Sequence, residues 1–227
     1  MPVSTIILAA GASSRMGQPK ALLKWKNKTF LENICHNLSK AGTEEIVIVT
    51  NKSLLSDISS FNQNEYPISN NLSRGQRRSW TEYPSSNFNS LPSSRRSHIP
   101  TFTINPHPEQ GMLSSFRCGL RALKSSGRNV MLCLTDHPMV EVETYRTLFS
   151  AAKKNKIIIP KYKNRRGHPI IFGSDFIPEL LEKDCPEGAR TIVRAHPEAV
   201  EEILVEDAGI LLDIDTPEDA KQAGINV

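Results

Sequence analysis

Short apolar runs alternate with segments of helical periodicity along most of the chain. Val3–Ala10 and Glu45–Thr50 are continuous apolar runs that predict buried strands. Between them, apolar residues recur at helical spacing up to Ala41, and Gly42 stands where a helix would end. This β–loop–α–β opening predicts a parallel sheet with crossover helices.

The same alternation resumes after residue 100. Further strands are predicted at 130–134, 157–159, 168–172, 199–205 and 210–214. Helices are predicted at 113–123, 142–153 and 175–181, and a last helix after the N-cap Thr216, with Pro217 at its first position. We therefore expect one domain over residues 1–227, an α/β/α sandwich of three layers with a mostly parallel, Rossmann-like sheet.

The segment from 61 to 100 breaks this rhythm. It is rich in Ser, Asn, Pro and Arg and shows no periodicity. Because a structureless loop of this length is uncommon in a compact domain, we interpret it as a disordered insertion, with a functional lid as the alternative. Its five arginines and two glutamates supply most of the net charge of +4, so the charge gives little support to nucleic-acid binding.

Composition narrows the class of protein. The chain has no apolar run long enough to span a membrane, and its N-terminus reads as a core strand rather than a signal peptide. Its four cysteines, Cys35, Cys118, Cys133 and Cys185, form no CxxC pair, which favours buried free thiols in a reducing compartment. We expect a cytoplasmic protein.

The loop after the first predicted strand carries the strongest chemical signal. Residues 8–20 read LAAGASSRMGQPK. Small residues at the carboxyl edge of a sheet let backbone N–H groups approach phosphate oxygens, and Arg15 and Lys20 add positive charge. The spacing of Gly11 and Gly17 fits neither a P-loop nor a dinucleotide fingerprint. A tight strand-to-helix turn with surface Arg and Lys is the alternative.

This segment resembles the LAAGxSxRMGxPKxLL signature of the MobA-like nucleotidyltransferase family, with Leu22 and Leu23 completing the match. The resemblance runs along the chain apart from about 61–100, and it implies a nucleotidyltransferase (GT-A-like) fold. The Ala-Ala-Gly start and the Pro-Lys pair are similar to the molybdenum cofactor cytidylyltransferase branch. The resemblance implies a nucleotide site comprising Leu8, Ala9, Ala10, Gly11, Ser13, Arg15, Lys20 and Ser115.

Carboxylates after two predicted strands are candidate ligands of Mg²⁺. Asp136 lies in an LxDxP element, and Asp213 and Asp215 alternate on the predicted strand 210–214 and its end, in the sequence DIDTPED. By resemblance to the family, Asp136 and Asp215 hold the metal, with Asp213 a weaker candidate. Capping or salt-bridged aspartates are the alternative for each. With Arg15 and Lys20, Asp136 forms the predicted catalytic set.

Two further elements resemble the acceptor-facing half of the family. These are the RRGHP motif, with Arg166, Gly167, His168 and Pro169, and the GxR element that ends in Arg190. A basic cluster with a flexible glycine suits a phosphorylated pterin. The alternative for Arg190 is a surface salt bridge, and that for Ser114 and Ser115 is ordinary helix capping.

Together these features favour a Mg²⁺-dependent enzyme that transfers CMP from CTP to a phosphorylated acceptor and releases pyrophosphate, and the resemblance implies molybdenum–molybdopterin as that acceptor. The product would pass to an apo-molybdoenzyme of the xanthine dehydrogenase type. Two alternatives stay open. One is a relative that uses GTP or another phosphorylated acceptor, such as a sugar phosphate or methylerythritol phosphate. The other is a non-catalytic protein that delivers the cofactor.

Overall fold

The computed structural model describes residues 2–11, 15–61, 78–79, 100–125 and 127–225. Its strands are β1 (Val3–Leu8), β2 (Lys24–Trp25), β3 (Lys28–Thr29), β4 (Glu45–Thr50), β5 (Arg78–Ser79), β6 (Thr101–Ile104), β7 (Asn129–Leu134), β8 (Ile157–Tyr162), β9 (Arg165–Arg166), β10 (Ile170–Phe172) and β11 (Val200–Leu204). Its helices are α1 (Phe30–Ala41), α2 (Lys52–Phe61), α3 (Met112–Ala122), α4 (Val142–Ala151), α5 (Ile177–Glu182), α6 (Arg190–Ala195) and α7 (Pro217–Gln222).

Nine of the described strands form one sheet. Its order is β11-β8-β10-β7-β1-β4-β6-β5, with β9 paired to β8. The centre of the sheet is parallel, since β1 pairs in parallel with β4 and β7, and β4 with β6. In contrast, β10 runs antiparallel to both β7 and β8. Its first residues therefore lie at the edge of the sheet where β7 ends.

Both faces of the sheet are covered by helices, which makes the predicted three layers. Apolar side chains of β1, β4 and β7 alternate between the faces, as the twofold period of a strand requires. Ile7 and Ile48 pack with α1 and α4 on one face, whereas Ile6 and Val49 pack with α3 on the other. The near-continuous burial of these strands explains why they read as unbroken apolar runs.

A third, smaller cluster joins the ends of the chain. Met16 and Leu23 pack against Phe30, Ile214 and the last helix. Thr216 and Asp219 form the predicted capping box of α7. This packing holds the segment that follows β1 against the segment that precedes α7, although some two hundred residues separate them in sequence.

The predicted strand 210–214 is wrong. Ala208–Leu211 forms a turn of 3-10 helix, and the residues up to α7 pair with no strand among the described residues. The reason is local: the Asp207 carboxylate accepts the backbone N–H of Gly209 and caps this turn. The backbone N–H of Ile214 then donates to the carbonyl of Asp136. Asp213 and Asp215 therefore do not alternate along a strand.

Three further expectations from the sequence concern the segment 61–100, the cysteines and membrane spans. Most of the segment 61–100 lies outside the described residues, apart from the end of α2, β5 and Pro100. Of the four free cysteines, Cys133 and Cys185 are buried, and Cys35 and Cys118 are half-buried. Among the described helices, none has the length and apolar character that crossing a bilayer requires.

Candidate functional site

A cleft of about 440 Å³ opens at the carboxyl edge of β1 and β7. Open α/β sheets bind ligands at this edge. Nine of the predicted site residues line the cleft: Leu8, Ala9, Ala10, Gly11, Arg15, Lys20, Ser115, Asp136 and Asp215. Ser13, which was predicted with them, lies outside the described residues.

Three hydrogen bonds hold the backbone after β1 in place. The Thr135 hydroxyl donates to the carbonyl of Leu8 at 3.2 Å, and the Asn51 amide donates to that of Ala10 at 3.1 Å. The N–H of Ala9 continues the ladder to Val49. The backbone of residues 8–10, at the start of the loop, is therefore held by residues of the neighbouring strands and of the segments that follow them.

Two cations and two carboxylates meet in the cleft. The Lys20 side chain is only 13% exposed, and its Nζ contacts Asp215 Oδ1 and lies 3.8 Å from Asp136 Oδ2. Arg15 is 74% exposed and approaches Asp215 Oδ2 at 3.6 Å. Residues from the first and last parts of the chain are thus brought together, as the motifs predict.

The carboxylates differ in their electrostatic surroundings. Burial alone would raise the pKa of Asp136, but a hydrogen bond of 2.8 Å from His137 Nδ1 and the charge of Lys20 lower it below its ordinary value. The pKa of Asp213 is raised by burial and by the charges of Asp136 and Asp215. Asp136 is therefore held ionised, whereas Asp213 lies in a field of like charge.

These groups fit a divalent cation. One potential ligand atom from each of Asp136, His137 and Asp213 lies within 4.8 Å of the others. Carboxylate oxygens are the ligands that Mg²⁺ and Mn²⁺ favour, and an added positive charge would relieve the repulsion that Asp213 experiences. Asp215 adds another carboxylate beside the same cluster through its contact with Lys20.

The residues predicted to bind the acceptor do not line this cleft. Arg166 lies on the exposed strand β9, where its Nε donates to Glu202 at 2.6 Å. A Cβ at Gly167 would overlap the carbonyl of Ile210, so glycine allows this close approach. Pro169 is buried and follows a cis peptide bond.

His168 lies beside the cleft. Because β10 is antiparallel to β7, the residues that precede β10 reach the edge at which Asp136 lies. The His168 ring is 5.2 Å from that of His137, and its Nδ1 is buried without a hydrogen-bond partner among the described residues. Burial and the charges of His137 and Arg190 lower the pKa of His168 to about 4, although the charge of Asp136 opposes this. His168 is therefore a neutral imidazole at pH 7.

Sequence reasoning missed four polar residues of the site: Asn51, Asn105, Thr135 and His137. Asn51, Asn105 and Thr135 each follow a buried strand directly, at the carboxyl edge of the sheet. That position was the available signal, since it is the position that singled out Asp136. Pro19, Ala21, Pro108, Gly111, Met112 and Leu134 also line the cleft.

Comparison with known proteins gives relatives that span most of the chain. Nicotine blue oxidoreductase of Paenarthrobacter nicotinovorans is 25% identical to this chain, and the aligned region covers 95% of this chain and 93% of that protein. Molybdenum cofactor cytidylyltransferase of Escherichia coli K12 is also 25% identical and covered to 93%, over 96% of this chain. A probable molybdenum cofactor guanylyltransferase of Methanosarcina mazei is 26% identical, over 84% of this chain and 71% of its own.

Solved structures share the fold. A nucleotidyl transferase from Methanothermobacter superposes with a TM-score of 0.70 at 16% identity, over 98% of this chain and 95% of its own. The Rv0371c protein of Mycobacterium tuberculosis in complex with manganese has a TM-score of 0.65 at 18% identity. The superposition covers 98% of this chain and 97% of that one. These likenesses support the Rossmann-like assignment.

The family of this chain follows from a match between its sequence and a family model. The model of the MobA-like NTP transferase domain matches residues 5–79 and 84–200, which is more than half of the chain. The match includes most of β1, the loop that follows it, Asp136 and His168. The chain therefore belongs to the family with the MobA-like NTP transferase domain and is a nucleotidyltransferase.

Proposed function

We propose that this enzyme transfers CMP from CTP to a molybdenum–molybdopterin acceptor and releases pyrophosphate. The observation that carries the proposal is the convergence of Lys20, Asp136 and Asp215 in one cleft beside the small-residue loop. The choice of CTP rests on the Ala-Ala-Gly and Pro-Lys features of the loop and on the relative from Escherichia coli named as a cytidylyltransferase.

The reaction needs charge neutralisation more than proton transfer. A phosphate oxygen of the acceptor attacks the α-phosphorus of CTP, and the bond to the β-phosphate oxygen breaks as pyrophosphate leaves. The acceptor phosphate is already ionised at pH 7, since its second pKa is about 6, and so no general base is required. Lys20, Arg15 and the N–H groups of the loop hold the triphosphate and offset its growing charge.

A divalent cation would be held by Asp136 and Asp215, with Asp213 and His137 close to the same position. When bound, it neutralises and orients the phosphates of the nucleotide. Manganese in the structure of Rv0371c supports a divalent cation in this fold, and we propose Mg²⁺ as the ion used.

For the acceptor side we propose the segment Arg166–Pro169 together with Arg190. His168 has the strongest support, because its buried Nδ1 lacks a partner among the described residues next to the carboxylates. Arg166 would have to exchange its ion pair with Glu202 for the acceptor phosphate. After transfer, the dinucleotide form of the cofactor would pass to an apo-molybdoenzyme of the xanthine dehydrogenase type.

The test is pyrophosphate release from CTP, GTP, ATP or UTP, with Mg²⁺ and molybdenum–molybdopterin. We expect release with CTP, reduced at least a hundredfold in Asp136→Asn. Asp175→Asn, which removes an exposed carboxylate, serves as the matched control and should retain the activity. Release with GTP instead would place the enzyme with guanylyltransferases, such as the relative of Methanosarcina mazei. No release with any nucleotide, despite binding of the cofactor, would favour a delivery protein.

A further inference from the structure

Asn105 lies directly after β6 and is only 3% exposed. Its Nδ2 donates to two neighbouring serines, to Ser114 Oγ at 2.8 Å and to Ser115 Oγ at 2.9 Å. Its Oδ1 accepts the backbone N–H of His107 at 2.9 Å. Of these partners, His107 precedes α3, and Ser114 and Ser115 lie in its first turn.

These contacts fix which way the amide faces. A backbone N–H can only donate, so the atom that faces His107 must be the oxygen of the amide. The nitrogen therefore faces the two serines, and because it can only donate, both hydroxyl oxygens must accept. Asn105 thus determines the direction of two hydrogen bonds at the start of α3.

The two serines differ in where their own protons go. Ser114 Oγ donates to the carbonyls of Gly111, at 2.9 Å, and His107, at 3.0 Å. Ser115 Oγ donates to no acceptor among the described residues, although Ser115 is only 5% exposed. Ser115 lines the cleft. Its hydroxyl, placed at the wall of the cleft, is consequently a donor without an acceptor in the part of the chain that the structure describes.

We propose that Asn105 is a positioning residue of the nucleotide site. By donating to Ser115, which resemblance to the family already assigns to that site, it commits the Ser115 hydroxyl to donate into the cleft, toward the nucleoside part of the nucleotide. This inference rests on the proposed function. Arg15 and Lys20 belong to the loop after β1, where the triphosphate is proposed to bind. Ser115 belongs instead to the wall formed with Pro108, Gly111 and Met112, which leaves it for the nucleoside.

The test is calorimetric binding of CTP in the presence of Mg²⁺ and without acceptor. Ser115→Ala should raise the Kd for CTP roughly tenfold, the effect of one buried hydrogen bond. Ser114→Ala is the matched control: it removes the neighbouring hydroxyl on the same amide, and should change the Kd by less than about twofold. Ser115→Thr, which restores a hydroxyl, should recover most of the affinity.

Asn105→Asp tests the positioning role, because the new carboxylate accepts where the amide donated. Ser115 would then donate to Asp and lose its bond to the nucleotide. We expect a rise in Kd similar to that of Ser115→Ala, and no further rise when both changes are combined. The KM for CTP should rise while kcat changes little, which a general loss of structure would not produce.

The outcomes separate this inference from the proposed function. If the unaltered protein binds no nucleotide, the proposed function fails. If it binds CTP but Ser115→Ala and Ser114→Ala behave alike, only the role of Ser115 is overturned. If the effects of Asn105→Asp and Ser115→Ala simply add, Asn105 does not act through Ser115.

Discussion

At the scale of single residues, Lys20 lies where both the carboxylates of the site and a bound triphosphate could pair with its ammonium. Its ammonium lies against Asp215 and near Asp136, the two carboxylates proposed to hold the metal. A triphosphate offers the same ammonium a stronger set of negative charges. The lysine therefore links the occupancy of the carboxylates to the presence of the nucleotide.

Replacing Lys20 by Met should accordingly raise the affinity of the nucleotide-free protein for Mn²⁺. Removing a unit charge next to two carboxylates relieves a competition of more than about 1 kcal/mol, so we expect at least roughly a fivefold fall in the Kd for Mn²⁺. Electron paramagnetic resonance of free Mn²⁺ measures it directly. Arg15→Met, which removes a mostly exposed charge from Asp215, should have the smaller effect. An unchanged or weaker affinity in Lys20→Met would contradict this role of the lysine.

At the scale of elements, the buried carboxylate of Asp207 joins two segments and, through one of them, supports a third. Asp207 accepts hydrogen bonds from the N–H of Glu141, the hydroxyl of Thr144 and the N–H of Gly209. It thereby joins the start of α4 to the 3-10 turn at 208–211. The carbonyl of Ile210 in that turn accepts the N–H of His168, so the turn also supports the proposed acceptor segment.

Asp207→Ala should therefore reduce the free energy of unfolding by about 3 kcal/mol, because it leaves buried donors unpaired. Asp207→Asn should cost less, since its one oxygen still accepts part of this set. Urea denaturation followed by circular dichroism gives both values. Equal, small losses in the two variants would show that the turn does not depend on the carboxylate.

The elements also show which parts of the fold could be predicted from the sequence. The strands at 3–8, 45–50 and 129–134 were predictable because they are buried on both faces and their apolar runs are unambiguous. The strand predicted at 210–214 failed because its apolar residues suit a capped turn equally well, and the cap by Asp207 decides between them. The place of Asn105 after a strand was visible in the sequence, but its role was not, because that role follows from contacts with serines nine and ten residues away.

At the scale of the whole molecule, the core contains the buried Cys133, and the half-buried Cys35 packs against it. Burial raises the pKa of the Cys35 thiol to about 12, and raises that of the Cys133 thiol further. At pH 8 a thiol with such a pKa has about one thiolate in ten thousand molecules, and the thiolate is the reactive form.

We therefore expect Cys35 and Cys133 to resist a disulfide reagent in the native protein at pH 8. All four cysteines should react in denaturant, since unfolding returns their pKa values to the ordinary range. Mass spectrometry of the labelled peptides distinguishes the positions. Labelling of Cys133 at the rate of a free thiol, without loss of structure, would show that the core opens.

Because β10 runs antiparallel to its neighbours, the proposed nucleotide half and the proposed acceptor half of the site are carried by strands of opposite direction. Parallel strands and the loop after β1 carry the proposed nucleotide half, whereas the acceptor segment enters through the one central strand, among those described, that runs the other way. A graft of another acceptor's recognition segment at 163–169 would leave the register of β1, β4 and β7 unchanged. If the proposed acceptor segment binds the acceptor, exchange of this one short entry into the sheet would change the acceptor and leave the proposed nucleotide half in place.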